Sequence, residues 1–451
     1  MDDSKKLLYF APGRTLFFAA LSLVLIGTAL LAIPVCRTCS IPLLDLFFTA
    51  TSAVCVTGMF TIPVSSFTLT GQLILLLLLQ IGGISLITFT ILIVSRFIRF
   101  GLSGQLKAQQ FAEIEIGKEG KNLLPFILIS TFVLEVLGAL VIFSVLRQEF
   151  PWYKAMLLSF FQAISAFCNI GVSLFGYDIE QHAHSIPVLL ATAFLMFCGS
   201  LGFPALKELL DFGKYRANKP RGKIFAFSLQ TKIILYGSLI MTVLGMVVLF
   251  FSEYNHSLVG MDPIHKIITV LFNSISFRSA GFLLVPVSSL TIGTIMTMMI
   301  FGFVGSAPGS TGSGVKITCF AITIASIKAI MAGNTNVTIG NRSIALDQVF
   351  KSFTILAVSA FWIFIATFIL SITEQGHSML ELGLEVSSAF TNLGISAGIT
   401  DKLSVAGKWL ILISMLVGRI GSLAFILAWA KRSFIKSKKP YSYPEERIML
   451  E

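Results

Sequence analysis

Four short stretches of this chain repeat one pattern: SAVCVTG (52–58), SAFCNIG (165–171), ISFRSAG (275–281) and SAFTNLG (388–394). Each ends on glycine, at 58, 171, 281 and 394, so that successive glycines lie 113, 110 and 113 residues apart. Four residues earlier stands an apolar side chain: Val54, Phe167, Phe277 or Phe390. No stretch sets a nucleophile beside a base, so the chemistry on offer is that of the main chain. Glycine lacks Cβ and takes backbone angles that aim carbonyl oxygens in one direction. Four such turns meeting on one axis can replace the water shell of a small cation. The candidate ligands are the carbonyls of Val56, Thr57 and Gly58, of Asn169, Ile170 and Gly171, of Ser279, Ala280 and Gly281, and of Asn392, Leu393 and Gly394. The bland alternative is four glycine-containing loops in a helical bundle.

A second stretch, GSAPGSTGSGVK (305–316), raises the question of phosphate. A phosphate cradle needs G-x-x-x-x-G-K-[ST], with lysine directly after the second glycine. Gly309 and Gly314 have that separation, but Val315 intervenes before Lys316. Residues 288–304 read as membrane helix, so no strand precedes the run. A helix break fits better. Pro308 removes a donor, five glycines fall between 302 and 314, and an apolar helical pattern resumes over 315–331. Unsatisfied backbone is costly in lipid, so this loop is expected to face a watery path below the four turns.

The elements that must position these turns follow from composition. Of 451 residues, 55% are hydrophobic and 12% charged, where soluble domains carry about 25% charged residues. Apolar runs of spanning length include 15–34, 72–95, 123–146, 187–206, 228–251, 349–372 and 408–430. Shorter amphipathic segments at 41–54, 153–168, 263–277 and 378–391 precede the four motifs and read as re-entrant. Each unit is thus helix, half-helix, extended turn, helix. The expectation is an all-α membrane protein of eight spanning helices and four re-entrant half-helices in pseudo-fourfold arrangement around one pore. Its units would be 1–118, 119–223, 224–345 (with a broken second helix) and 346–432, with a tail at 433–451.

The formal net charge is +11, yet 25 of the 33 lysines and arginines fall in five segments: before the first span, 96–121, 207–232, 316–351 and 431–447. By the positive-inside rule these are cytoplasmic, as are both termini. The excess charge is topology, and nucleic acid is not implied. The first apolar run lacks a cleavage site and reads as a retained helix.

Within apolar surroundings stand Glu135, Arg278 and Arg419. A lone carboxylate in lipid calls for a positive partner, and Arg278, beside the third turn, is the candidate; the pair would support the filter from behind. Arg419 is expected to face the pore or a partner rather than snorkel. Cys36 and Cys39 in CRTC could form a local disulfide, touch a metal weakly, or be incidental thiols. The histidines, 182, 184, 256, 265 and 377, fall in segments assigned to the exterior. No catalytic constellation is present, so no enzyme is expected.

As a set, these features resemble the Trk/Ktr/HKT superfamily of potassium transporters over residues 10 to 432. The short N-terminus is most like the Ktr-type membrane subunit. The resemblance implies passive potassium uptake across the plasma membrane of a prokaryote, with no bound cofactor and with potassium, or sodium, as the substrate. It implies that glycine in all four filter turns goes with potassium selectivity, where sodium-favouring plant members carry serine in the first. Cys168 and Thr391 depart from the family's usual letters. It implies a gate in the third unit, matched by Gly305, Gly309, Gly312, Gly314 and Lys316, with Arg419 beneath the filter as an electrostatic barrier. It implies a homodimer on a cytoplasmic nucleotide-binding regulatory ring, with 207–232 and the tail as contact surfaces. The rival reading is a secondary transporter such as a sodium-coupled symporter, but four same-direction repeats, rather than two inverted ones, speak against it. A voltage-gated channel would need arginine-rich sensor helices, which are lacking.

Overall fold

The computed structural model describes residues 12–98, 120–174, 185–218, 225–334, 336–422 and 424–425. The amino-terminal basic residues before 12, most of the basic segment 96–121, His182 and His184, and the tail lie outside the described residues.

The helices follow the expected rhythm. The first quarter holds α1 (Pro12–Leu31), the short α2 (Leu43–Cys55) and α3 (Leu69–Ile98). The second holds α4 (Gly120–Leu146), the short α5 (Trp152–Phe167), α6 (Ile186–Leu201) and α7 (Phe203–Asn218). The third holds α8 (Leu229–Glu253), the short α9 (Pro263–Ser279), α10 (Ile292–Val304) and α11 (Ile317–Met331). A small antiparallel hairpin, β1 (Thr338–Ile339) with β2 (Arg342–Ser343), leads into the fourth. That quarter holds α12 (Leu346–Thr373), the short α13 (Met379–Thr391) and α14 (Val405–Ile420).

The short helices begin where the sequence supplies starts. Pro42 and Pro151 stand just before α2 and α5, and Pro263 opens α9, positions where a missing N–H costs nothing. The fourth, α13, has a capping box, with Ser378 and Glu381 satisfying each other's backbone N–H groups.

Among the described residues, α4, α8 and α12 contain the stretches long and apolar enough to cross a membrane, and the bent pair α6–α7 passes the same test as one span. Their outward sides carry bare Phe132, Phe251, Phe361 and Phe364. In water such a belt would drive aggregation, whereas against acyl chains it is solvated. The inner spans differ from the sequence expectation in two places. The apolar run 187–206 is not one straight helix: Gly202 takes φ 84° and α7 leaves α6 at 106°. Past the bend the sequence turns polar, LKELLDFGKYRAN, which is why the chain quits the apolar layer there. Likewise the run 408–430 is interrupted: α14 ends at Ile420, Gly421 takes φ 94°, and helical backbone returns at Ser422, Ala424 and Phe425.

The core is divided among four main apolar clusters, each shared by neighbouring quarters. One joins Val24, Leu75 and Val54 of the first to Phe161 and Ile170 of the second. Another joins Phe167 and Phe203 of the second to Phe272 and Phe282 of the third. A third joins Phe277 and Met298 of the third to Leu384 and Leu393 of the fourth. The last joins Leu382 and Met415 of the fourth to Phe48 and Cys55 of the first. The sequence of contacts closes on itself.

Candidate cation-binding site

Each short helix ends in a turn whose N–H groups fold back on a serine. Thr57 N donates to Ser52 O, Ile170 N to Ser165 O and Leu393 N to Ser388 O, all at 2.9 Å, and Gly281 N to Ser276 O at 3.1 Å. Counted from that serine, the glycine is six residues on in turns one, two and four but five in turn three. The extra residue in the three longer turns adopts left-handed backbone: Val56 (φ 60°), Asn169 (φ 58°) and Asn392 (φ 51°). Such angles are uncommon outside glycine and mark stored strain. In the third turn Ser279 stays helical instead.

The glycines are required by their neighbours. A Cβ on Gly58 would fall on the carbonyl oxygen of Ile170; on Gly171, on that of Ala280; on Gly281, on that of Leu393; on Gly394, on that of Thr57. Turn one therefore abuts turn two, two abuts three, three abuts four, and four abuts one. All twelve residues expected from the motifs, 56–58, 169–171, 279–281 and 392–394, stand in this closed ring of main chain. Behind it, the glycines of the second spans make room for the ends of the short helices. A Cβ on Gly82 would meet Val54 O at 2.5 Å, one on Gly199 would strike Phe167 O, and one on Gly418 would strike Phe390 O.

The Gly/Ser-rich run is the expected break: α10 ends at Val304 and α11 starts at Ile317. Gly305, Gly309 and Gly314 take φ of 59°, 71° and 81°. The loop's freed backbone is satisfied by protein. Ala307 N donates to Ser200 O (3.1 Å), Thr311 N to Gly199 O (3.2 Å), and Gly309 O accepts from Phe203 N (2.9 Å). Gly312 lies with its Cβ position 3.0 Å from that of Ser279. The Thr311 hydroxyl sits 2.9 Å from Phe167 O, and 2.8 Å from the Asn169 amide. That amide is fully satisfied with its oxygen towards Thr311 and its nitrogen towards Met196 O. Asn392 donates to Cys55 O and to Ser313 Oγ, both at 3.1 Å, and accepts from Thr57 Oγ1 at 3.1 Å. The loop thus touches turns two, three and four directly.

Arg419 fastens the loop from below. Its guanidinium donates to Thr311 O (2.7 Å), Ser313 Oγ (3.0 Å) and Gly82 O (2.7 Å), and no carboxylate pairs with it among the described residues. Lys316 Nζ donates to Gly312 O at 2.9 Å. Thr311 and Ser313, not singled out from the sequence, are the loop's main polar contacts. Their only signal was being hydroxyl-bearing residues within a glycine run.

Glu135 and Arg278 do not pair, contrary to the expectation from charge alone. Glu135 accepts from Gln80 Nε2 at 2.9 Å, with the Cys168 thiol 4.0 Å from its other oxygen. Arg278 donates to Ser200 Oγ and, at 3.5 Å, to Ser238 O, and it lies over the Phe197 ring. The two stand behind different turns, Glu135 against turn two and Arg278 within turn three. Neutral polar groups do for each what an opposite charge was expected to do.

Comparison with known proteins places this geometry in context. Residues 17–437 match the TrkH cation transport protein family. The chain is 31% identical to Ktr system potassium uptake protein B of Bacillus subtilis (strain 168), covering 95% of each. It is 29% identical to the potassium/sodium uptake protein NtpJ of Enterococcus hirae, over 95% of this chain and 94% of that one. In fold it is similar to the crystal structure of the potassium transporter TrkH from Vibrio parahaemolyticus. The TM-score there is 0.72 at 16% identity, over 93% of this chain and 85% of the other.

Proposed function

The chain belongs to the TrkH family of cation transport proteins, and from that premise we propose that it carries potassium passively across a prokaryotic plasma membrane. The observation that carries this reading is the closed ring of four turns, each glycine seated on the next turn's carbonyl. An ion entering the ring sheds water and is held by the carbonyls of residues 56–58, 169–171, 279–281 and 392–394. Cα-only residues at the crossing points let the backbones approach closely enough to present those oxygens to one ion. The four quarters, 1–118, 119–223, 224–345 and 346–432, then act as pseudo-fourfold units around a single path, with 433–451 as a cytoplasmic tail.

The run Gly305–Lys316 is the gate in this reading. It bridges turns two, three and four beneath the ring, and Arg419 pins it there while presenting positive charge to arriving cations. Glu135 and Arg278 serve as separate supports of turns two and three. Both termini lie inside, two copies associate, and a cytoplasmic nucleotide-binding ring sets the gate, acting on surfaces that include 207–232. Sodium as a second substrate is supported by the likeness to a potassium/sodium uptake protein.

Complementation of potassium-uptake-deficient cells tests the proposal. The chain is expected to restore growth at low potassium, and Gly58→Ser to lower potassium preference relative to sodium. No rescue by a protein shown to reach the membrane, expressed together with its cytoplasmic nucleotide-binding ring, would defeat it.

A further inference from the structure

The strand leaving each turn must be tied to its short helix, and three of the turns use the fold-back serine. Gly58 N donates to Ser52 Oγ at 3.1 Å and Val172 N to Ser165 Oγ at 3.0 Å, while Ser276 Oγ donates to Phe282 O at 2.6 Å. In the fourth turn the equivalent Ser388 Oγ is buried and finds no hydrogen-bond partner among the described residues. The tie there comes from one helical turn earlier. Glu385, 0% exposed, accepts from Ala397 N (3.1 Å), from Thr400 Oγ1 (3.0 Å) and from Ser396 Oγ.

The other three helices carry no charge at this position. Three residues before the fold-back serine stand Thr49, Gln162 and Asn273, all buried and all polar. Thr49 Oγ1 donates to its own helix at Asp45 O (2.8 Å), and the oxygens of Gln162 and Asn273 have no partner among the described residues. Glu385 is therefore the one member of the set that reaches forward. A buried carboxylate is tolerable only when its oxygens are hydrogen-bonded, and the side-chain and strand donors that satisfy this one lie in residues 396–400, just outside Gly394. Three donors from 396–400 converge on this one side chain, where each of the other three outer strands has a single serine tie, so this outer strand is held at more points than the others.

We propose that Glu385 is a specificity-determining positioning residue: by clamping 396–400 it fixes the spacing of the Asn392, Leu393 and Gly394 carbonyls and so the discrimination between potassium and sodium. It touches no ion. The proposal rests on reading the ring as a cation filter.

The test uses the full chain in liposomes, with potassium and sodium fluxes measured separately. Glu385→Gln keeps the shape and turns one accepting oxygen into a donor; Ser396→Ala with Thr400→Val removes two donors from the other end. Each is expected to lower potassium-over-sodium discrimination about tenfold, the scale of one or two lost buried hydrogen bonds, with a smaller change in maximal potassium flux. Combining them is expected to add little, and Glu385→Asp to recover part of the discrimination. Should Glu385→Gln fail to insert, the Ser396/Thr400 pair carries the same expectation. Wild-type-like discrimination in a conducting variant would overturn the role of Glu385, as would losses that multiply when the two ends are combined. Wild-type protein that carries no potassium would instead sink the functional reading itself.

Discussion

The second spans of the first and third quarters both carry glycine, yet one stays helical through 30 residues while the other gives out for twelve. In α3, neither Gly82 nor Gly83 takes left-handed backbone. They are there for room: Cβ atoms would meet Val54 O and the Cys168 thiol. In the run between α10 and α11, three glycines do take positive φ, and Pro308 withholds a donor. Glycine count alone does not distinguish a helix that admits a neighbour from a helix that breaks. The distinction lies in whether the missing Cβ frees space or frees the chain.

Removing the broken stretch tests that contrast most severely. Deleting 309–313 takes away Thr311 and Ser313, and cation flux in liposomes is expected to rise about tenfold or more, the scale of one lost kcal/mol-sized barrier and a half. Unchanged flux from correctly inserted protein would show that the loop is not an obstruction. Arg419→Gln frees the same loop without shortening it and also releases Gly82 O in α3; a rise of about threefold is expected, smaller because other anchors of the loop remain. A fall in flux with the fold intact would make Arg419 a strut instead of a barrier.

The next pair sets the two uses of glycine against each other. Gly82→Ala drives a methyl at backbone carbonyls that cannot swing aside, an overpacking expected to cost about 3 kcal/mol. Gly309→Ala meets only the Pro204 ring, at 3.1 Å, and its cost is the left-handed backbone, about 1 kcal/mol. Thermal unfolding in detergent ranks them, and the reverse order would break the comparison. The smallest expected effect is the coupling between Glu135→Gln and Arg278→Gln. Because one rests on Gln80 of α3 and the other on Ser200, their losses are expected to add within about 0.5 kcal/mol. A larger coupling would mean that the two groups sense each other despite their separate partners.

Much of this was legible in the chain. The short helices expected at 41–54, 153–168, 263–277 and 378–391 run Leu43–Cys55, Trp152–Phe167, Pro263–Ser279 and Met379–Thr391. Their starts are marked by proline or a capping serine and their ends by the motif itself, so local signals sufficed. The bend at Gly202 was not legible because the run stays apolar through Phe203 and Pro204. Part of what fixes glycine there is distant: a Cβ on Gly202 would crowd Pro308 O at 2.6 Å. Glu135 was assigned the wrong partner because charge counting overlooks amides, and Gln80 in a leucine-rich span gave no warning. Aligning the motifs on glycine also hid the shorter third turn, since the fold-back serine, not the glycine, sets the helical register. The counterparts of Glu385 show the same slip: Thr49 and Gln162 align with it from either residue, but Asn273 only from the serine.

The third turn reaches its glycine one residue sooner than the others, so the quarters are not interchangeable parts. Putting a copy of the first quarter in the third quarter's place would carry a surplus codon at that corner, pushing one carbonyl tier out of step with its neighbours and leaving a lopsided collar. Engineers wishing to shuffle quarters of this molecule have to trim that corner, or lend its deletion to whichever quarter takes the place.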